Sequence, residues 1–148
     1  MAIIQLTFEE ILPIWQTELW PGRDSKIESN SAMTLERTYD MFNMSTKATF
    51  FAWEFHGKVV GVNSGHRCND NMYRSRGLWV NSAYRRQGIG TLLLLATIKQ
   101  ALDEDCSLIW SYPKLSSWHT YRRAGFFLCS DWEQSELGSN AYCKIDFT

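Results

Sequence analysis

The sequence predicts a mixed α/β (α+β) fold, one domain over residues 1–148, with a six- to seven-stranded central sheet and about four helices on its two faces. Strand-like and helical runs alternate along 148 residues without a linker, a repeat or a low-complexity stretch. Apolar residues make up 45% of the chain, enough for one core at this length. Residues 91–103 are apolar nearly all round, as in a helix packed on a sheet rather than lying on its surface.

Each element follows in order. Residues 2–6 read as a strand, and Thr7 with Glu10 makes a capping box for a helix to about Leu19 that Pro13 interrupts. Trp20, Pro21 and Gly22 end it. A second helix fits residues 31–43, where Ala32, Leu35, Tyr39 and Phe42 recur at helical spacing. Residues 49–55 and 58–66 form an antiparallel hairpin through His56 and Gly57, with residues 72–80 a strand beside it. Beyond the helix at 91–103 come a strand at 107–112, a short helix at 116–124 closed by Gly125, and a strand pair at 126–132 and 141–147. The acidic end of the long helix, Asp103 to Asp105, opposes the helix dipole, and the sequence offers no reason for it.

The chemistry concentrates in one turn. Arg85, Arg86, Gln87, Gly88, Ile89 and Gly90 lie between a strand and a helix start, where unpaired backbone N–H groups meet glycines that leave room for an anion. A helix dipole alone contributes about 0.3–1 kcal/mol to one anion, so a working site must add several N–H bonds and arginines. Charge is segregated to suit. Residues 1–46 hold three basic and seven acidic side chains (−4), residues 47–100 eight and two (+6), and residues 101–148 four and seven (−3), for a net −1. A polyanionic small molecule fits this pattern better than nucleic acid, since the chain has no basic run or aromatic-studded basic stripe.

Other chemistries are excluded or disfavoured. Cys68, Cys106, Cys129 and Cys143 are widely spaced with no C-x-x-C pair, and the three histidines are scattered, so no metal site is expected. The longest aliphatic run, 92–96, is far short of a membrane span, and no secretory leader precedes the first strand, so a soluble cytoplasmic protein is expected. A dinucleotide fingerprint needs a glycine where Leu93 stands, and a P-loop needs a lysine between Gly90 and Thr91.

Residues 80–90, V-N-S-A-Y-R-R-Q-G-I-G, resemble the V-x-P-x-Y-R-G-x-G-I-G segment of the GNAT superfamily of acetyltransferases, and residues 121–126, Y-R-R-A-G-F, are similar to its later Y-E-K-x-G-F segment. The order of elements agrees from about Thr49 to Phe147. Ser82 replaces the common proline, Arg86 a common glycine, Lys114 a frequent asparagine, and Thr120 a leucine or aromatic. The resemblance implies a GNAT-like domain that takes acetyl-CoA as co-substrate and a small-molecule or peptide amine as acceptor, attacked directly. It assigns cofactor binding to Leu78, Val80, Arg85, Arg86, Gln87, Gly88, Ile89, Gly90 and Thr91. The strand 78–80 should part from its neighbour and leave an N–H near Val80 to polarise the thioester carbonyl, while Tyr121 hydrogen-bonds the departing thiolate. Some members carry a carboxylate base on the strand before the turn. Here that strand has none, and Asp70 and Glu54 are the nearest acids by strand pairing, with water the alternative. The acid excess of residues 1–46 favours a cationic acceptor. A non-catalytic CoA-binding sensor or interaction module of the same fold is the alternative function, and the sequence leaves monomer and homodimer open.

Overall fold

The computed structural model describes residues 2–136 and 138–147. A seven-stranded mixed sheet has the order β1 (Ala2–Leu6), β2 (Ala48–Phe55), β3 (Lys58–Cys68), β4 (Met72–Val80), β5 (Leu108–Ser111), β9 (Cys143–Asp146) and β6 (Phe127–Leu128). A separate hairpin pairs β7 (Glu133–Ser135) with β8 (Gly138–Asn140). Among the described residues, β4 with β5 is the one parallel pairing of the large sheet. Helix α1 (Phe8–Ile14) covers one face, and α2 (Ile89–Asp103) with α3 (Trp118–Arg123) covers the other. No helix among the described residues is long and apolar enough to cross a membrane.

The capping box of α1 forms as its residues predict. Thr7 Oγ1 accepts from the Glu10 N–H, and Glu10 Oε1 accepts from the Thr7 N–H. Pro13 cannot donate its backbone bond, and the following turn, Trp15–Leu19, widens into a π-helix closed by Trp20 N–H on the Trp15 carbonyl. This turn buries Trp15 completely and leaves exposed Glu18 and half-buried Leu19 facing a surface cleft. His56 and Gly57, both at positive φ, supply the tight hairpin turn between β2 and β3.

The helix expected over residues 31–43 does not form. The segment is an irregular strap with an isolated Met33–Tyr39 bridge and a short 3₁₀ turn at Met41–Met44. Its periodic apolar residues are not a buried stripe, since Tyr39 and Phe42 are 79% and 51% exposed. Polar side chains capture the backbone instead. Buried Asn30 donates to the Asn43 and Thr46 carbonyls, Asn43 donates to the Met33 carbonyl, and Asp40 accepts from the Phe42 N–H. The strap is pinned to β3 by the Ser31 N–H on His66 Nε2.

The acidic end of α2 now has an explanation. Arg67 on β3 donates to the Glu104 carbonyl and to Asn71 Oδ1, placing a guanidinium at the negative end of the helix, while Lys99 pairs with Asp103 at 2.8 Å.

Candidate active site

The β4 strand is built to open. It pairs with β5 only from Met72 to Arg74, so the edge of β4 from Ser75 onward has no strand beside it there. On the β3 side the register shifts between Val62 and Ser64, a bulge at Gly77. Gly77 sits at φ +78, and a Cβ there would stand 2.5 Å from the Trp15 indole, whose Nε1 donates to the Gly77 carbonyl at 3.0 Å. The extra residue reverses the alternation of side chains. Tyr73, Leu78 and Val80 pack toward α2, whereas Arg76 and Trp79 lie on the α1 side with Trp15.

The bulge and the turn after it also aim backbone groups. Asn81 N–H donates to the Val60 carbonyl at 2.8 Å, so the adjoining Gly61–Val80 pair is of the non-hydrogen-bonded kind and the Val80 N–H turns away from β3 into the gap. The Val80 carbonyl is taken by Arg85 Nε at 3.1 Å. Gly88, at φ +80, is the N-cap of α2 and brings no capping side chain. Among the described residues, the N–H groups of Gln87, Gly88, Ile89, Gly90 and Thr91 donate to no protein acceptor. Gly90 lets α2 start close to its neighbours: a Cβ there would lie 2.9 Å from Thr120 Cγ2.

A cleft of about 390 Å³ joins these features and runs from one face of the sheet to the other. Leu78, Val80, Arg85, Arg86, Gly88, Ile89, Gly90 and Thr91, all expected to bind the cofactor, line it together, while the Gln87 side chain is exposed. Trp79, Glu18 and Leu19 line the α1 side, and Lys114, His119, Thr120 and Arg123 line the wall opposite β4. Sequence reasoning missed most of these. Lys114 and Thr120 carried a signal, both standing at positions where the resembling motifs hold other residues; Glu18 had none, because its place depends on the π-turn. Lys114 Nζ donates to the Leu19 carbonyl, and burial holds its pKa below the ordinary lysine value.

Three of the expected groups, Tyr121, Asp70 and Glu54, lie outside the cleft wall. Tyr121 is 3% exposed and stands behind the cleft wall, its hydroxyl 3.4 Å from Ser111 Oγ in the angle between β4 and β5. Burial pushes the phenol up to about 12, with Ser111 and Ser75 pulling it back. Asp70 sits in the β3–β4 turn at the far end of the sheet, and Glu54 near the end of β2; neither lines the cleft. Glu18 is the carboxylate that does. No group of three His, Cys, Asp or Glu among the described residues is arranged to hold a metal.

Comparison with known proteins agrees with this geometry. Residues 11–126 match the model of the acetyltransferase (GNAT) family. No curated protein sequence is similar enough to match the chain. Among solved structures, a ribosomal-protein-alanine N-acetyltransferase from Brucella melitensis superposes with a TM-score of 0.68 at 18% identity, covering 99% of this chain and 100% of its own. An acetyltransferase of the GNAT family from Staphylococcus aureus Mu50 gives 0.67 at 17% identity, covering 99% of each chain. An aminoglycoside acetyltransferase in complex with coenzyme A and kanamycin gives 0.63 at 14% identity, covering 99% of this chain and 94% of its own. At such identities the superpositions speak for the fold; the family match, spanning more than half the sequence, goes further. The opened β4 edge and the bare start of α2 are thus features of a chain that belongs to the GNAT family of acetyltransferases.

Proposed function

We propose that the protein transfers an acetyl group from acetyl-CoA to a primary amine by direct attack, without an acyl-enzyme. The observation that carries this reading is the run of five unpartnered N–H groups from Gln87 to Thr91, opening into a cleft that continues through the gap beside β4. A pyrophosphate satisfies donors that no protein group uses, and Arg85 and Arg86 add charge at the rim. Acetyl-CoA supplies the activated thioester. Val80 N–H, turned into the gap, is the donor for the developing oxyanion. All four cysteines lie outside the cleft wall, which favours direct attack over a thiol-bound intermediate.

Tyr121 meets the departing thiolate only where the sulfur end of the coenzyme enters the angle between β4 and β5 in front of its hydroxyl, and there it acts as a hydrogen-bond donor and not as a full acid. With its phenol near 12, transfer to a thiolate of ordinary pKa near 8.5 runs uphill by roughly 5 kcal/mol. The acceptor must also shed a proton, which for a lysine-like amine at pH 7 costs roughly 4.6 kcal/mol. Glu18, the exposed carboxylate in the cleft wall, takes this proton through water.

Calorimetry with acetyl-CoA, CoA and ATP, followed by thiol release across an amine panel, tests the reading. The expected outcome is uptake of acetyl-CoA and CoA but not ATP, with release dependent on amine. Tyr121→Phe should lower kcat about tenfold to a hundredfold with acetyl-CoA affinity unchanged. Coenzyme uptake with no release from any amine would leave the non-catalytic sensor as the function.

A further inference from the structure

On the sheet face covered by residues 20–46, three arginines crowd together, and no carboxylate among the described residues lies within ion-pair distance of any of them. Arg74 and Arg76, two positions apart on β4, are 6% and 5% exposed. Arg76 stacks over Trp15 and Trp20, each at 5.1 Å, Arg74 over Trp110 at 4.8 Å, and half-buried Arg23 over Trp20 at 4.9 Å. Their hydrogen-bond partners are all uncharged, Arg23 Nε donating to Ser25 Oγ at 2.7 Å. Arg76 Nη1 donates to the neutral Glu28 carbonyl at 2.8 Å, Arg74 Nη1 reaches only the Met33 sulfur at 3.7 Å, and Arg74 Nε has no partner. Burial pushes both guanidinium pKa values down, Arg76 to about 9, with Arg74 and Arg23 pressing Arg76 lower still and the Glu28 carboxylate, beyond ion-pair distance, pulling it only partly back. Stacking on indoles fixes these groups but does not cancel their charge, and buried charges in proteins are ordinarily paired.

We infer that Arg74, Arg76 and Arg23 hold an oxyanion carried by the acceptor, so that the acceptor class is a primary amine bearing a carboxylate or phosphate. The inference rests on the N-acetyltransferase reading above and narrows it. Arg76 shares its face of β4 with Trp79, which lines the cleft, whereas the unpartnered amides of α2 lie toward the other face. An anion at Arg76 therefore belongs to the acceptor side. Three residues of strand separate Arg76 from Trp79, about 10 Å, so a short chain links amine and oxyanion. The entering oxyanion displaces the Glu28 carbonyl and the Met33 sulfur, since an ionised acceptor makes a hydrogen bond roughly twice as strong as a neutral one. The acid excess of residues 1–46 does not oppose this. Five of its seven acids are exposed, while the arginines are turned inward.

Paired acceptors test the inference: 6-aminohexanoate, long enough to approach this span, against hexylamine, γ-aminobutyrate against butylamine, and O-phosphoethanolamine against ethanolamine, the last pair separating phosphate from carboxylate. The expected kcat/KM favours the anion-bearing member of at least one pair by more than about tenfold, chiefly through KM. Arg76→Gln should abolish that preference, Arg76→Lys retain part of it, and Arg23→Gln, at a half-buried position that folding tolerates, reduce it. A readout independent of turnover is tryptophan fluorescence during titration with butyrate and with inorganic phosphate, because Trp15, Trp20 and Trp110 stack on these guanidinium groups. Saturable change in the wild type, weakened in Arg76→Gln or Arg23→Gln, supports the inference even if no amine is acetylated, an outcome that would count against the transferase reading alone. Equal use of both members of every pair with no saturable fluorescence change overturns it. So does a preference that the arginine variants leave intact and Lys114→Met removes.

Discussion

Gly77 shows how one residue without a Cβ shapes the site. Its φ of +78 and the 2.5 Å that would separate a Cβ from the Trp15 indole mean that alanine must both strain the backbone and displace a fully buried ring. Gly77→Ala should therefore destabilise the protein by about 2–4 kcal/mol in urea denaturation and, by moving the bulge, reduce acetyl transfer in whatever fraction stays folded. His66 makes a different kind of demand. Fully buried beside Arg74 and Arg76, it stays neutral, donating through Nδ1 to the Arg67 carbonyl and accepting the Ser31 N–H on Nε2. Burial depresses its pKa from 6.5 to about 3, so below pH 6.5 the unfolded chain takes up a proton that the folded chain refuses. The stability contribution is complete above pH 6.5 and is lost progressively as pH falls toward 3, amounting to about 2 kcal/mol lost at pH 5. His66→Gln should flatten the fall in denaturation midpoint between pH 7 and 5, and an unchanged slope would assign the acid sensitivity to other groups.

Elements differ in how much of them a sequence discloses. The capping box at Thr7, the hairpin at His56 and Gly57 and the long helix were legible because each depends on neighbouring residues alone. The strap at 31–43 was not. Its apolar spacing imitated a helix, but Asn30 and Asn43 bind backbone carbonyls across the strap and Asn43 Oδ1 accepts from the Asn69 N–H, contacts that exist only after folding. The acidic end of α2 was likewise opaque, because its compensating charge comes from Arg67 on a strand distant in sequence. The consequence is measurable. Arg67→Met keeps the aliphatic stem but removes hydrogen bonds from a charged donor to the Glu104 carbonyl and Asn71, and should cost about 1.5–3 kcal/mol in urea denaturation. A loss under about 0.5 kcal/mol would mean that the Lys99–Asp103 pair suffices to offset the dipole.

At the scale of the molecule, the site exists because a mixed sheet parts at its parallel contact while a helix begins beside the gap. The glycine turn and the parting of β4 were readable from the order of elements and two short segments; the depth of Tyr121 and the arginines turned inward were not, since burial and facing depend on the bulge at Gly77 reversing the alternation of β4. Net charge by segment proved a coarse guide for the same reason. Four of the eight basic residues of the positive middle divide between two places, the rim at Arg85 and Arg86 and the buried pair at Arg74 and Arg76. Arg86 exposes the trade between stability and binding at the rim. It occupies φ +64, a conformation costing a side chain roughly 1–2 kcal/mol, and it is exposed. Arg86→Gly relieves that strain but adds roughly 0.5–1 kcal/mol of chain entropy to lose on folding, so the free protein should be unchanged or more stable by up to about 1.5 kcal/mol, a rise in Tm of up to about 3–6 °C. Acetyl-CoA affinity should move the other way, falling about threefold to tenfold in low salt, and the gap between variant and wild type should narrow in 0.5 M salt, where an exposed charge is screened beyond roughly 4–5 Å. Equal affinity at low salt would leave the backbone amides of the turn to hold the pyrophosphate without help from this arginine.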